Sequence, residues 1–364
     1  MIYEGKEGLF ALFREHYENT DLHINDIHRR EISINVFSPE LKGWSRHLYF
    51  QNKDDLKERT TQRKPPAGLF SSTAYYLDPN EKVPRKRDLI GCDFVIDLDD
   101  DMLDYENRFD FIDDMRKKTK AIIDRFLPDL GFDLDEILID FSGKKGFHLT
   151  FETEALKSLD QPSRRQIIDY IMATKLNRDA LLEGNRLSKY GWNKQLMYFI
   201  SKLVKDPSEK HMQLYFAKNK VKKISSLLSA PAVIARLKTG SLVDFNKKVL
   251  VIGMMKEHRI NIQKIVDKKP TVDLHRTFRV PGSLHPGSGL PCVRLTKYHL
   301  NSTELIIDEI MAVAGEDEVT VKLTKEVVID FPVKKTFPAG VQKMKRYEAL
   351  PALIVECKKH WYLE

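Results

Sequence analysis

Residues 89–102, LIGCDFVIDLDDDM, drive a run of apolar and β-branched side chains straight into a cluster of carboxylates. Phe94, Val95, Ile96 and Leu98 read as a buried strand. Side chains alternate along a strand, so Asp97 and Asp99 share one face, about 7 Å apart, while Ile96 and Leu98 take the other. Two ionised carboxylates side by side repel, and a divalent cation between them relieves that repulsion. Their hard oxygen donors suit magnesium or manganese. The plainer reading is that residues 97–101 are the solvated end of a strand entering a loop. Such a pair alone does not choose between the two.

Charge supplies the next constraint. The formal net charge is +7, yet residues 93–114 hold ten carboxylates against one arginine, so the rest of the chain is markedly basic. Basic surface around an acidic metal site fits a polyanionic substrate whose phosphates need metal. Cys92, Cys292 and Cys357 lie far apart and form no CxxC pair, which points to a reducing compartment. No uninterrupted apolar segment reaches membrane-spanning length, and the N-terminus lacks a signal-peptide pattern. A cytoplasmic protein without membrane contact is the expectation.

Along the chain, residues 8–17 carry a helical apolar stripe, and residues 30–37 alternate Ile32, Ile34 and Val36 with polar positions as a strand would. Residues 45–50 offer another short strand, and the charged stretch 51–66 reads as an exposed loop. Residues 109–127 predict a helix that Pro128 ends. Residues 137–152, ILIDFSGKKGFHLTFE, then predict strand, glycine turn, strand. Phe147, Leu149 and Phe151 share one face and leave His148 and Thr150 on the other. Gly143 and Gly146 let the backbone turn or approach a ligand, with Lys144 and Lys145 supplying charge. An ordinary hairpin with a solvated basic turn would read the same way. Residues 155–242 change to helical, basic character, ending any β pattern. Asp267 closes another apolar run, Thr271 predicts the N-cap of a helix carrying Leu274 and Phe278, and Asp273 falls in its first turn. RVPGSLHPGSGL, residues 279–290, forms a compact loop that presents Arg279, Ser283 and His285.

FVIDLD at 94–99, SGKKGFH at 142–148 and the stretch from Asp267 through RVPGSLHPGSGL resemble, in order and spacing, the catalytic small subunit of archaeal and eukaryotic DNA primases. The resemblance implies an α/β (α+β) catalytic core of two mixed sheets with flanking helices, formed by residues 1–155 and 243–364, and a helical subdomain inserted at 156–242. It implies a DNA-directed nucleotidyltransferase that makes short primers from ribonucleoside triphosphates on single-stranded DNA, with use of deoxynucleotides left open. Metal binding by Asp97, Asp99 and Asp267 follows from the same motifs, the last standing eighteen residues before His285. Ser142, Lys144, Lys145, His148, Arg279 and His285 would hold the incoming triphosphate. The implied cofactors are magnesium or manganese, two ions together, and the implied partner is a large regulatory subunit in a heterodimer.

Three departures stand out. Residues 91–150 contain only Cys92 and His148 where the family usually holds a structural zinc, so zinc is not expected. Lys144 and Lys145 replace the arginines of eukaryotic relatives, which removes bidentate phosphate contacts. Pro286 and Gly287 follow the loop histidine, where some relatives carry a basic residue. Three alternatives stay open: a gap-filling or end-joining polymerase of the same superfamily, an inert nucleic-acid-binding subunit, and a DxD glycosyltransferase.

Overall fold

Phe94, Ile96 and Leu98 are fully buried, as are Phe147 and Leu149, with Phe151 nearly so, and these six side chains explain why two distant segments pair. The computed structural model describes residues 1–38, 43–83, 86–183 and 186–357. Phe94–Asp99 and Gly146–Phe151 run antiparallel at the centre of a five-stranded sheet. Its order is Val266–Asp267, Phe94–Asp99, Gly146–Phe151, Leu138–Phe141, Val293–Leu295. Period two along both central strands leaves Val95, Asp97 and Asp99 with His148 and Thr150 on the face opposite the aromatic residues. The ring pairs Phe94 with Phe151 at 6.4 Å and Phe141 with Phe147 at 5.7 Å lie on the apolar side.

A four-stranded antiparallel sheet supplies the other half of the site, in the order Thr277–Arg279, Gly68–Ser72, Ile32–Asn35, Trp44–Leu48. Helices Gly5–Asn19 and Arg346–Cys357 share its buried cluster, where Leu9, Phe13, Ile32, Leu69, Val321 and Leu353 meet. All four residues of Ile32–Asn35 are buried, so the alternation expected there gives way to a strand covered on both faces. Among the described residues no helix is long and apolar enough to cross a membrane.

The chain divides into two compact units. One comprises Met1–Thr119, Asp135–Arg165 and Asp267–Glu364 and contains both sheets. The other comprises Lys120–Leu134 and Gln166–Val266, wider than the 156–242 segment expected from composition. Its helices include Gly191–Lys205, Lys218–Leu228, Pro231–Lys238 and Lys247–His258, packed on Leu196, Phe199, Ile224 and Leu250.

Two sequence expectations are corrected. The stretch 51–66 is not all loop: Lys53–Thr60 is a helix whose cap, Asn52, accepts a hydrogen bond from the Asp55 amide at 2.9 Å. It buries Leu56 and Thr60, too few apolar positions to leave a stripe in the sequence. The helix expected to start at Thr271 instead spans Lys268–Val272, with Asp267 as its N-cap accepting from the Lys269 amide at 3.0 Å. Pro270 explains the shift, since proline fits only a first turn. Asp273 therefore ends the helix, accepting from the His275 amide, and Phe278 lies on a strand.

The basic run at 82–87, of which residues 84 and 85 lie outside the described residues, ends in a buried ion pair. Arg87 is 1% exposed and meets Glu31 at 2.7 Å. Arg87→Leu leaves the Glu31 carboxylate buried without its main partner, and should cost about 3 kcal/mol in urea unfolding. Replacing both residues by leucine should recover most of that loss.

Candidate active site

The hairpin between the two motifs positions its side chains through one close approach. Gly146 pairs with Asp99, and a Cβ there would lie 1.7 Å from the Leu98 carbonyl oxygen, so no other residue permits this pairing. The Ser142 amide donates to the Gly146 carbonyl at 2.9 Å, and Ser142 Oγ accepts from the Gly146 amide at 3.1 Å. That double bond closes the SGKKG turn. Arg108 donates to the Lys144 carbonyl at 3.1 Å while paired with Asp330 at 2.9 Å, which fixes the turn from the side.

A second loop closes over the first. The Gly282 amide donates to the Cys292 carbonyl at 2.7 Å, and His16 Nε2 contacts the Gly282 carbonyl at the same distance. Ser288 Oγ donates to the Gly143 carbonyl at 2.7 Å, tying this loop to the SGKKG turn. His285 Nδ1 accepts from the amides of Gly287 at 3.0 Å and Ser288 at 3.1 Å. Two donors at one ring nitrogen put the proton on Nε2. Ser283 is not presented as expected: it is fully buried and donates to the Val280 carbonyl at 2.6 Å.

The result is a cleft of about 280 Å³ lined by Asp97 and Asp99 on one side and by Ser142, Lys144, Lys145, His148, Arg279 and His285 around it. Phe70, Arg276, Thr277 and Phe278 complete the wall. The sequence reading missed these four. Phe70 and Arg279 are cross-strand partners, and the guanidinium lies 4.5 Å from the ring centroid, a relation that only sheet pairing creates. Phe278, assigned beforehand to a helix, packs edge-on to His148 at 4.9 Å.

Asp267 stands on the strand beside Phe94–Asp99, and its charge reaches both other aspartates. Burial, then Asp99 and Asp267, push the Asp97 carboxyl up to about 7, with Arg276 pulling the other way. Burial also raises Asp99, opposed by Lys145. Among the described residues no three His, Cys, Asp or Glu side chains are gathered as a ready-made metal group, and one Asp267 oxygen is committed to its helix cap. The donor set nevertheless fits a hard divalent cation, because Asp97 is held in a site that destabilises its own charge.

The histidines are not cations here. Burial, followed by Arg279, lowers His148 to about 3, and burial with Arg279, Lys144 and Arg108 lowers His285 well below its usual value. The 3.6 Å contact between His148 Nε2 and Asp97 is therefore not an ion pair at neutral pH. Burial lowers Arg279 to about 10, so it stays charged. Positive charge thus comes from Lys144, Lys145 and Arg279, and the imidazoles contribute oriented neutral donors.

Repelling aspartates faced by lysines, an arginine and neutral histidines have the charge pattern of a phosphate-handling α+β protein. The DNA primase small subunit family matches residues 96–296, more than half of the chain. Curated DNA primase small subunits align along nearly all of it. That of Methanocella arvoryzae is 26% identical over 88% of this chain and 90% of its own length. That of Thermoplasma volcanium is 28% identical over 95% of each. The chain belongs to the DNA primase small subunit family.

A carboxyl raised on folding holds its proton longer in the native state than in the unfolded chain. Stability of the metal-free protein should therefore fall as pH climbs from the ordinary aspartate range through about 7, and then level off. The ceiling for Asp97 is about 4 kcal/mol. Urea unfolding in a chelator between pH 5 and 8 should show this fall, and Asp97→Asn should remove most of it.

Proposed function

We propose that the chain is the catalytic subunit of a DNA primase. It joins a 3′-hydroxyl to the α-phosphate of an incoming ribonucleoside triphosphate on a single-stranded DNA template and releases pyrophosphate. The observation that carries this reading is the one cleft in which Asp97 and Asp99 face the side chains of the SGKKG turn and the Arg279 to His285 loop. Magnesium or manganese held by Asp97, Asp99 and Asp267 would neutralise charge on the reacting oxygens and acidify the attacking hydroxyl. Lys144, Lys145 and Arg279 bind the β and γ phosphates electrostatically. His285 Nε2–H and the Ser142 hydroxyl donate hydrogen bonds from positions set before substrate arrives, so no reorganisation is needed at reaction. His148 offers its second ring nitrogen from the strand that carries the pair to Asp97.

The relatives are named small subunits, which supports a heterodimer with a large regulatory subunit. Starting a chain needs two nucleotides ordered on a template at once, and association of each costs several kcal/mol. A partner that orders the first would speed initiation more than elongation.

Purified chain, alone and with the large subunit, should form short labelled products on single-stranded DNA without any annealed primer. Products that require an annealed primer would favour a gap-filling polymerase instead. Asp97→Asn and Asp99→Asn should fold and lose incorporation by a hundredfold or more, about 3 kcal/mol of barrier. Wild-type turnover by either at saturating magnesium or manganese would overturn the metal assignment. Asp267 separates its two roles by substitution: Asp267→Asn keeps a good N-cap, whereas Asp267→Ala should cost about 1 kcal/mol. Both should lose incorporation.

A further inference from the structure

The charge of the chain is segregated between its two units. Lys120–Leu134 with Gln166–Val266 holds twenty-one lysines and arginines against ten aspartates and glutamates, a net of +11 in a chain of +7. The unit that carries the cleft is therefore net −4. Within the basic unit, helix Lys218–Leu228 buries Val221, Ile224 and Leu228 and exposes Lys218, Lys220, Lys222 and Lys223. Two of those lysines, Lys220 and Lys223, rim a groove of about 120 Å³ whose other wall begins helix Lys247–His258.

The groove has a specific make-up. Ile224, Leu227, Val249 and Leu250 give it an apolar floor, and half-buried Phe245 supplies an aromatic surface. Its one carboxylate, Asp244, is bound by Arg236 through two contacts of 2.7 Å, so it does not oppose an anion. An aromatic ring beside two lysines matches how proteins hold unpaired nucleotides, with a base on the ring and the backbone phosphates on the cations. The volume admits one nucleobase, whereas a duplex keeps its bases stacked inside and would use the lysines alone.

We infer that this unit holds single-stranded nucleic acid, with phosphates along the lysine face of helix 218–228 and one unpaired base in the groove against Phe245. The inference rests on the primase reading only in taking that strand to be the DNA template. Binding itself needs neither metal nor triphosphate.

The test is fluorescence anisotropy of a labelled oligothymidine in a salt series without nucleotides. The wild type should bind with log affinity falling linearly against log salt. Lys220→Glu/Lys223→Glu, on exposed positions that do not threaten the fold, should lower the slope by about one. Phe245→Ala should weaken binding about tenfold with an unchanged slope, and Phe245→Tyr should restore it. Asp97→Asn should bind as the wild type does, which separates this outcome from failure of the catalytic reading. Three results would each overturn the inference: unchanged slope and affinity in the lysine variant, equal affinity for duplex and single strand with Phe245→Ala neutral, or intact oligonucleotide binding with lost capture of the large subunit. The last would make the face a protein interface.

Discussion

The Asp99 to Gly146 pairing governs the site, because every functional side chain is placed relative to it. The Leu98 carbonyl comes so close to Gly146 that no Cβ fits, which locks the register of two strands. Once register is set, period two does the rest: six apolar side chains go to one face, while Asp97 and Asp99 meet the histidine strand on the other. Burying each large apolar side chain contributes about 1.5 to 3 kcal/mol, so the apolar face outweighs the repulsion it holds in place on the polar face. A strained electrostatic site survives because its reverse side is core.

The rest of the acidic run is neutralised locally, which keeps the negative field at the cleft. Lys118 meets Asp100 at 3.4 Å and Asp114 at 2.7 Å, and Tyr105 bridges the same two carboxylates. Arg116 and Lys117 take Asp113. Of the ten carboxylates between residues 93 and 114, Asp97 and Asp99 line the cleft. Density of like charge in a sequence thus says little about where that charge acts.

Strand period and glycine punctuation made the two central strands, the SGKKG turn and the Arg279 loop legible, since each is decided by neighbours in sequence. What stayed hidden depends on distant partners. Helix Lys53–Thr60 is held by one buried leucine rather than a stripe. Arg87 reads as part of a solvated basic run, yet its partner Glu31 lies fifty-six residues away. Phe70 enters the site only because its strand pairs with Thr277–Arg279. Asp267 shows the subtler limit: its position at the end of an apolar run was visible, but Pro270 was the signal that it also caps a helix.

Charge segregation gives a physical reason for the two-unit division. A polyanion approaching the cleft unit alone meets a net negative body, and at physiological salt such fields extend about 8 Å. Lysines and an arginine inside the cleft act only after entry, since they lie among aspartates whose potential opposes theirs at longer range. A separate basic unit in the same chain changes the order of events: a strand held there raises its own local concentration without requiring the cleft to be basic outside. The cleft can then keep carboxylates close enough together to demand a divalent cation, a requirement that a uniformly basic surface would have relaxed.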